Sequence, residues 1–325
     1  MILFITEQGS RLVKQGRVLM VYKDGEKVFM YPLENITQLV LMGRVEISTA
    51  LMSLLMREGV DTLLMTRDGR YKGKVTGPVS KNIFIREQQF RERDKPERCL
   101  TISRNIIYAK VKNTRNMLRR HHPTVYKDSR NRIENALKSV QAVKSLPGLR
   151  GLEGSFAAYY FSLFPRLLDG RFPFKKREKH PPPDPVNAML SLGYTLLFNI
   201  LYALVEAAGL DPYAGFFHQS SYGHPALVSD LMEPYRAPIV DRLVINLIQK
   251  EQVTPEDFTR EEEKGMRFRE AALKNFVTAF QKRMFSRYMR QGKKETLWAV
   301  LQKDIWNFVK HLQGDQDEFI PFSFK

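Results

Sequence analysis

The chain has one cysteine, Cys99, in 325 residues. A single thiol excludes an internal disulfide framework and a thiolate zinc site, and it suits a reducing compartment. Cys99 lies in Arg98-Cys99-Leu100-Thr101-Ile102, at the expected entry to a helix, where a small buried thiol is the usual reading. Long apolar runs are also missing. No stretch approaches 18 uninterrupted apolar residues, so no membrane-spanning helix is expected. The opening Met1-Ile2-Leu3-Phe4-Ile5-Thr6 turns polar at once and lacks the basic lead and long apolar core of a secretory signal. The expectation is a cytoplasmic protein. Acidic residues are scarce as well: 35 Asp+Glu stand against 52 Lys+Arg, a formal charge of +17. That surplus argues for a polyanionic partner, nucleic acid ahead of an anionic membrane surface.

The hydrophobic share, 43%, is ample for a core, and the length suits two domains. Val18–Tyr22 and Lys27–Tyr31 flank Lys23-Asp24-Gly25-Glu26, an Asp-Gly hairpin signal between β-rich runs. A second turn at Arg67-Asp68-Gly69-Arg70 separates Val60–Met65 from Tyr71–Val75. Between the hairpins, Ser48 caps a predicted helix over Thr49–Glu58 that stops at Gly59. From about residue 84 the spacing turns helical. One long helix is predicted over 86–120, with Pro123 interrupting, and others over 128–145, 152–168, 186–208, 226–250 (broken near Pro234 and Pro238), 268–291 and 295–312. A basic loop, 171–180, runs into Pro181-Pro182-Pro183-Asp184-Pro185, which fits neither helix nor central strand. The fold class is therefore α+β: a small β-rich N-terminal domain over 1–83, then a larger all-helical C-terminal domain over 84–325.

Within the helical part, three groups of residues carry chemistry. Glu153 shares a helical face with Phe156, Ala157, Tyr160 and Phe164, and a carboxylate on an aromatic face needs a partner. Gly151 and Gly154 beside it leave room for a backbone or a ligand; an ion pair with an arginine or a helix cap satisfies the same pattern. His218 ends Gly215-Phe216-Phe217-His218 at a loop edge, with His224 equally plausible on composition. Asp230 and Glu233, three apart, face the same way on a helix, and their repulsion is reversed by a cation between them, either a metal or Arg236 or Arg242. One imidazole and two or three carboxylates suit Mg²⁺ or Mn²⁺.

These stretches carry a resemblance. Gly151-Leu152-Glu153-Gly154, Asp184-Pro185-Val186-Asn187 through Tyr194, Gly215-Phe216-Phe217-His218, and Ser229-Asp230-Leu231-Met232-Glu233-Pro234-Tyr235-Arg236 followed by Asp241-Arg242 stand in an order and spacing that resemble the CRISPR-associated adaptation integrase, the larger subunit of the spacer-acquisition machinery. The resemblance spans nearly the whole chain. It implies one Mn²⁺ or Mg²⁺ held by Glu153, His218 rather than His224, and Glu233, where some members carry Asp. Asp230, Arg236, Tyr194 and Asn187 are the implied supporting residues. The implied reaction is strand transfer: the 3′-hydroxyl of a captured double-stranded DNA fragment attacks a phosphodiester of the CRISPR repeat. The implied assembly is a homodimer, associating through the β domain, bridged by a smaller adaptation protein.

Three basic clusters are expected to hold DNA backbone. Arg283, Arg287, Arg290 and Lys294 form one stripe if a single helix carries them. Lys110, Lys112, Arg115, Arg119 and Arg120 form a second, and Lys175, Lys176, Arg177 and Lys179 a third on the basic loop. The rival reading is a non-catalytic nucleic-acid clamp, in which the acidic groups are structural ion pairs.

Overall fold

A computed structural model describes residues 1–324 except Asp68, Arg70, 78–81, 179–180, Lys264 and 291–292, and it leaves the side chains of 288–290 and Lys293 undescribed. Two compact units divide the chain, Met1–Val79 with Glu270–Gln281, and Ser80–Arg269 with Lys282–Lys325.

The first unit holds two four-stranded sheets. Strands β1 (Ile2–Ile5), β2 (Ser10–Gln15), β3 (Val18–Lys23), β4 (Glu26–Pro32), β5 (Gln38–Met42) and β6 (Val45–Ile47) precede helix α1 (Thr49–Arg57), and β7 (Asp61–Met65) and β8 (Tyr71–Val75) follow it. One sheet runs β1-β5-β7-β8, parallel except at its last pair; the other runs β4-β3-β2-β6. The hairpin predicted at Asp24-Gly25 joins β3 to β4, with both residues at positive φ (51° and 85°), as a tight two-residue hairpin turn requires. Ser48 caps α1 through the Leu51 amide, 3.3 Å away. Leu12, Leu19, Val21, Leu39 and Leu41 of the sheets meet Leu51, Leu54 and Leu55 of α1 in one core. Strand β4 is different: Val28, Phe29 and Met30 stand exposed on a sheet edge. Of the second predicted turn, Asp68 and Arg70 lie outside the described residues.

The second unit is mainly helical, and its breaks fall where proline chemistry puts them. The single helix predicted over 86–120 is two, α2 (Ile83–Arg93) and α3 (Pro96–His121). Pro96 forces Lys95 into an extended conformation (φ −96°, ψ 107°), which ends one helix and starts the next. Pro123 likewise opens α4 (Pro123–Ala142) instead of merely interrupting. Helix α5 (Leu146–Ser162) begins six residues before the predicted 152, because Ser145 caps it at the Gly148 amide. Helix α6 (Pro185–Ala207) is capped by Asp184. It is long and apolar enough to cross a membrane by composition, yet 72% of its apolar window is buried inside the chain, as the core helix of this unit. The predicted 226–250 helix is α7 (Ala226–Met232), a 3-10 turn over Glu233–Tyr235, a π turn over Arg236–Asp241, and α8 (Arg242–Gln249).

The C-terminal part departs from the all-helical expectation. Strands β9 (Phe258–Glu261) and β10 (Gly265–Phe268) form a hairpin in which Phe258 and Phe268 pair, ring centroids 4.8 Å apart. The helix predicted over 268–291 ends early: α9 is Glu270–Met284, and β11 (Arg287–Arg290) pairs with β12 (Lys293–Thr296) before α10 (Leu297–Gln313). Ser286 Oγ donates to the Arg283 carbonyl at 2.7 Å, a local bond that competes with helix propagation.

Candidate active site

Several segments of the second unit converge on a cavity of about 490 Å³ lined by Lys110 of α3, Glu153 of α5, Tyr194 of α6, His218, and Glu233, Arg236 and Asp241 of the 3-10 and π turns. Long-range clamps hold these segments together. Asn113 of α3, buried, donates to the Pro234 carbonyl at 2.8 Å and so fixes the turn that carries Glu233. Arg150 of α5 donates to the Phe217 carbonyl at 2.8 Å, tying Glu153's helix to His218's loop. Gln89 of α2 donates to the carbonyls of Asp211 and Ala214 at 2.9 and 2.8 Å and anchors that loop from its other side.

Asp230 is fully buried and organises the histidine. Its Oδ2 accepts from the Phe216 and Phe217 amides at 2.6 and 2.9 Å; its Oδ1 accepts from the His218 amide at 2.9 Å and meets His218 Nδ1 at 2.6 Å. A carboxylate filled with donors favours the Nδ1–H tautomer, the one that leaves the Nε2 lone pair for a ligand. Gly215 makes this cradle possible. A Cβ there would lie 2.7 Å from the Ala226 carbonyl carbon and 2.9 Å from Asp230 Oδ2. Gly151 and Gly154, expected to admit a close neighbour, have nothing within 4 Å of such a Cβ. His224 is not among the lining residues; its Nε2 stands 3.2 Å from Ser229 Oγ.

The two glutamates share one cation. Lys110 Nζ is hydrogen-bonded to Glu153 and lies 2.6 Å from Glu233 Oε2, while Arg236 Nε lies 3.0 Å from Glu233 Oε1. Burial acts to raise the Glu233 pKa, but Arg236 and Lys110 overrule it and hold the carboxyl at about 2. Lys110 stays protonated, because Glu233 and Glu153 outweigh the burial that works against its charge. Asp230 and Glu233, expected to flank one cation, diverge: Asp230 serves the His218 loop and Glu233 the cavity.

Asp241 and Tyr160 line the cavity beside Tyr194, and neither was assigned a role from the sequence. Asp241 is buried and accepts from Tyr160 at 2.9 Å and from Tyr194. Burial raises its pKa against the pull of the two tyrosine bonds. The π turn brings Arg236 and Asp241, five residues apart, to the same cavity, a spacing that α-helical periodicity would separate. The guanidinium carbons of Arg236 and Arg177 sit 4.9 and 5.4 Å from the Tyr194 ring centre. Asn187 lies behind this wall: it donates to the Lys176 carbonyl at 2.9 Å and accepts from Arg177 at 2.8 Å, so it fixes the basic loop and does not line the cavity.

The basic clusters fall apart differently. Lys175 and Lys176 are exposed and line the cavity mouth; Lys179 lies outside the described residues. Lys110 has left its expected surface cluster for the cavity, Arg115 pairs with Glu134 at 3.4 Å, and Lys112 lies over the Tyr108 ring at 5.9 Å, while Arg119 is exposed. The single helical stripe does not form. Arg283 is on α9, Arg287 and Arg290 are on β11, and Lys294 is on β12; the Arg290 side chain is not described. Arg283 is partly buried, donates to the Pro238 carbonyl, and has its pKa pushed down to about 9 by burial and by Arg242.

Donor chemistry decides whether a divalent ion suits this cavity. Glu233 Oε2 is buried and faces the Lys110 ammonium, 2.6 Å away in an ion pair. Such an oxygen is a ready hard-cation ligand, Glu153 faces the same cation, and His218 Nε2 offers a lone pair. As arranged, however, no three His, Cys, Asp or Glu side chains among the described residues cluster closely enough to enclose an ion. Lys110 holds the place between two of them.

The family model described as CRISPR associated protein Cas1 matches residues 3–282. The chain is similar to CRISPR-associated endonuclease Cas1 2 of Rhodospirillum rubrum, 33% identical over 341 residues that cover 99% of this chain and 98% of that protein. It is similar also to CRISPR-associated endonuclease Cas1 1 of Chlorobaculum tepidum, 31% identical over 99% of this chain and 98% of that one. Among solved structures, a casposase bound to integration product shares the fold, with a TM-score of 0.87 at 22% identity, covering 100% of this chain and 94% of that chain. A chain of a Cas6-RT-Cas1–Cas2 complex matches with a TM-score of 0.85 at 26% identity, over 99% of this chain and 36% of the longer one.

Proposed function

The chain belongs to the Cas1 family of CRISPR-associated proteins, and on that footing we propose that it is a divalent-metal-dependent DNA endonuclease and strand transferase of CRISPR adaptation. The observation that carries this reading is the convergence of Glu153, Glu233 and a His218 ring oriented by Asp230 on one cavity whose mouth is cationic. Glu153, His218 Nε2 and Glu233 would hold Mg²⁺ or Mn²⁺. When bound, the ion supplies Lewis-acid polarisation of a phosphodiester. Lys175 and Lys176 draw the DNA backbone to the mouth, and Arg236 faces the cavity with its guanidinium stacked on Tyr194. In the joining step the fragment's 3′-oxygen forms a bond to phosphorus and its hydroxyl proton passes to solvent, while a 3′-oxygen of the repeat leaves and takes up a proton from solvent; water in place of the hydroxyl gives cleavage. The names of the relatives, endonuclease and casposase with an integration product, support this chemistry. The Cas1–Cas2 complex among the structural relatives supports a smaller partner protein. The exposed Val28-Phe29-Met30 edge of β4 supports self-association into a homodimer.

The test is joining of a labelled duplex fragment to CRISPR-repeat DNA. Products are expected with Mn²⁺ or Mg²⁺ and a 3′-hydroxyl, and a loss of about 10³-fold or more in EDTA or with 3′-deoxy ends. The shared Lys110–Glu153–Glu233 ion pairs favour one other reading, a DNA clamp without chemistry. Tight DNA binding without joining or cleavage in any metal would establish the clamp. A second measurement addresses the mouth. Replacing Lys175 and Lys176 by Gln should weaken DNA binding and reduce the slope of log K against log salt by about 2, near 0.9 per phosphate contact. An unchanged slope would remove these lysines from the DNA path.

A further inference from the structure

Among the basic residues of the cavity, Lys110 is the unexpected one. Lys110 comes from a helix whose other cations point elsewhere, and its side chain is only 12% exposed. Its ammonium contacts a carboxylate oxygen of Glu153 and one of Glu233, residues 80 positions apart in the chain. Among the described residues, the Lys110 ammonium is the cation paired with this Glu233 oxygen, 2.6 Å away. Arg236 covers the other oxygen of Glu233 and is held on the Tyr194 ring, so it does not substitute for Lys110 between the two acids. Without a cation there, two carboxylates would face each other across a partly buried space, and one or both would turn away.

We propose that Lys110 is a resident stand-in for the metal: its ammonium occupies the seat between Glu153 and Glu233 in the metal-free protein, and a divalent ion loads by displacing it. This rests on the metal reading above. It accounts for three donors that line one cavity yet, among the described residues, do not close into a cluster. An ammonium and a divalent ion cannot share the seat, since like charges in a poorly screened cavity repel strongly. The lysine therefore keeps the acids facing inward before metal arrives, and it sets the metal concentration at which the site fills.

The test is Mn²⁺ binding by calorimetry on the full-length protein, without DNA, together with melting curves in EDTA and in Mn²⁺. In Lys110→Met the competitor is gone but its length is kept. The expected result is a Kd about tenfold lower than wild type, a lower Tm in EDTA, and a larger rise of Tm on adding Mn²⁺. Lys110→Arg retains a permanent charge and grips carboxylates with two donors, so its Kd should be about tenfold higher than wild type with no loss of Tm in EDTA. If Lys110→Met folds poorly, the arginine variant still decides. Equal Kd values in the wild type and Lys110→Arg, or a weaker Kd in Lys110→Met, would overturn displacement while leaving the metal site standing. Absence of Mn²⁺ binding in all three proteins would overturn the metal reading itself, and this inference with it.

Discussion

Glu153→Ala and Glu233→Ala are both expected to abolish metal-dependent joining of DNA, but only the second is expected to weaken the fold severely. Both acids face the cavity, and on the proposed metal reading loss of either removes several kcal/mol of charge stabilisation, about 10³-fold or more in rate. Their stability roles differ because their surroundings differ. Glu233 is 4% exposed and neutralises both Lys110 and Arg236; deleting it strands two cations around the single acid Glu153, at a cost of about 3–5 kcal/mol. Glu153 is 22% exposed and contacts Lys110, which keeps Glu233 as a partner, so its removal should cost about 1 kcal/mol. The pH dependence follows the same logic. Glu233 is held down at about 2 from an ordinary 4.5, so the stability it contributes is full above pH 4.5 and drains away as pH falls toward 2. Glu233→Ala should therefore flatten the acid limb of a stability profile that Glu153→Ala leaves steep. Urea melts at several pH values beside a joining assay measure both. Wild-type joining by Glu153→Ala would remove this acid from the chemistry.

That contrast shows what the sequence discloses and what it withholds. Short-range signals were legible. Asp24-Gly25 made its hairpin, Ser48 and Gly59 bounded their helix, and Pro234 and Pro238 broke theirs. Signals that mimic another period misled. Arg283, Arg287, Arg290 and Lys294 repeat at helical intervals, but charged residues on a surface impose no period on the backbone, and a hairpin carries the last three. The glycines at 148, 151 and 154 obscured the start of α5, which a serine cap secures. At the site, motif order placed Glu153, His218 and Glu233 around one cavity. The direction in which a lysine points is not written in its neighbours, so Lys110 read as surface. Asp241 stood in the Asp241-Arg242 pair without a role, because a π turn resets the register that brings it beside Arg236. Gln89, Asn113 and Arg150 hold backbone carbonyls more than 60 positions away in the chain, pairings with no local signature.

The largest effect outside the three proposed ligands is expected at Asp230. Asp230→Asn keeps the shape but replaces one acceptor oxygen by an NH₂ group. Four donors now converge on Asp230: three backbone amides and His218 Nδ1. An amide turned with NH₂ toward His218 drives the ring to the other tautomer, with the proton on Nε2, where it blocks the ligand lone pair. Turned the other way, it faces the amides of Phe216 and Phe217 with donors and leaves them unbonded in a buried place. Either orientation should lower Mn²⁺ affinity by about 10- to 100-fold, the usual effect of losing a ligand's orienting partner, and destabilise by about 2–4 kcal/mol. His218→Ala separates the two effects: metal affinity falls as far, while the ring, 31% exposed, takes little stability with it. His224→Ala serves as the control, with Mn²⁺ affinity as in the wild type. Asp230→Asn binding Mn²⁺ with wild-type affinity, yet melting lower, would confine this carboxylate to holding the loop. The imidazole would then be oriented by its packing against Phe217, ring centroids 5.1 Å apart, and not by the proton it shares.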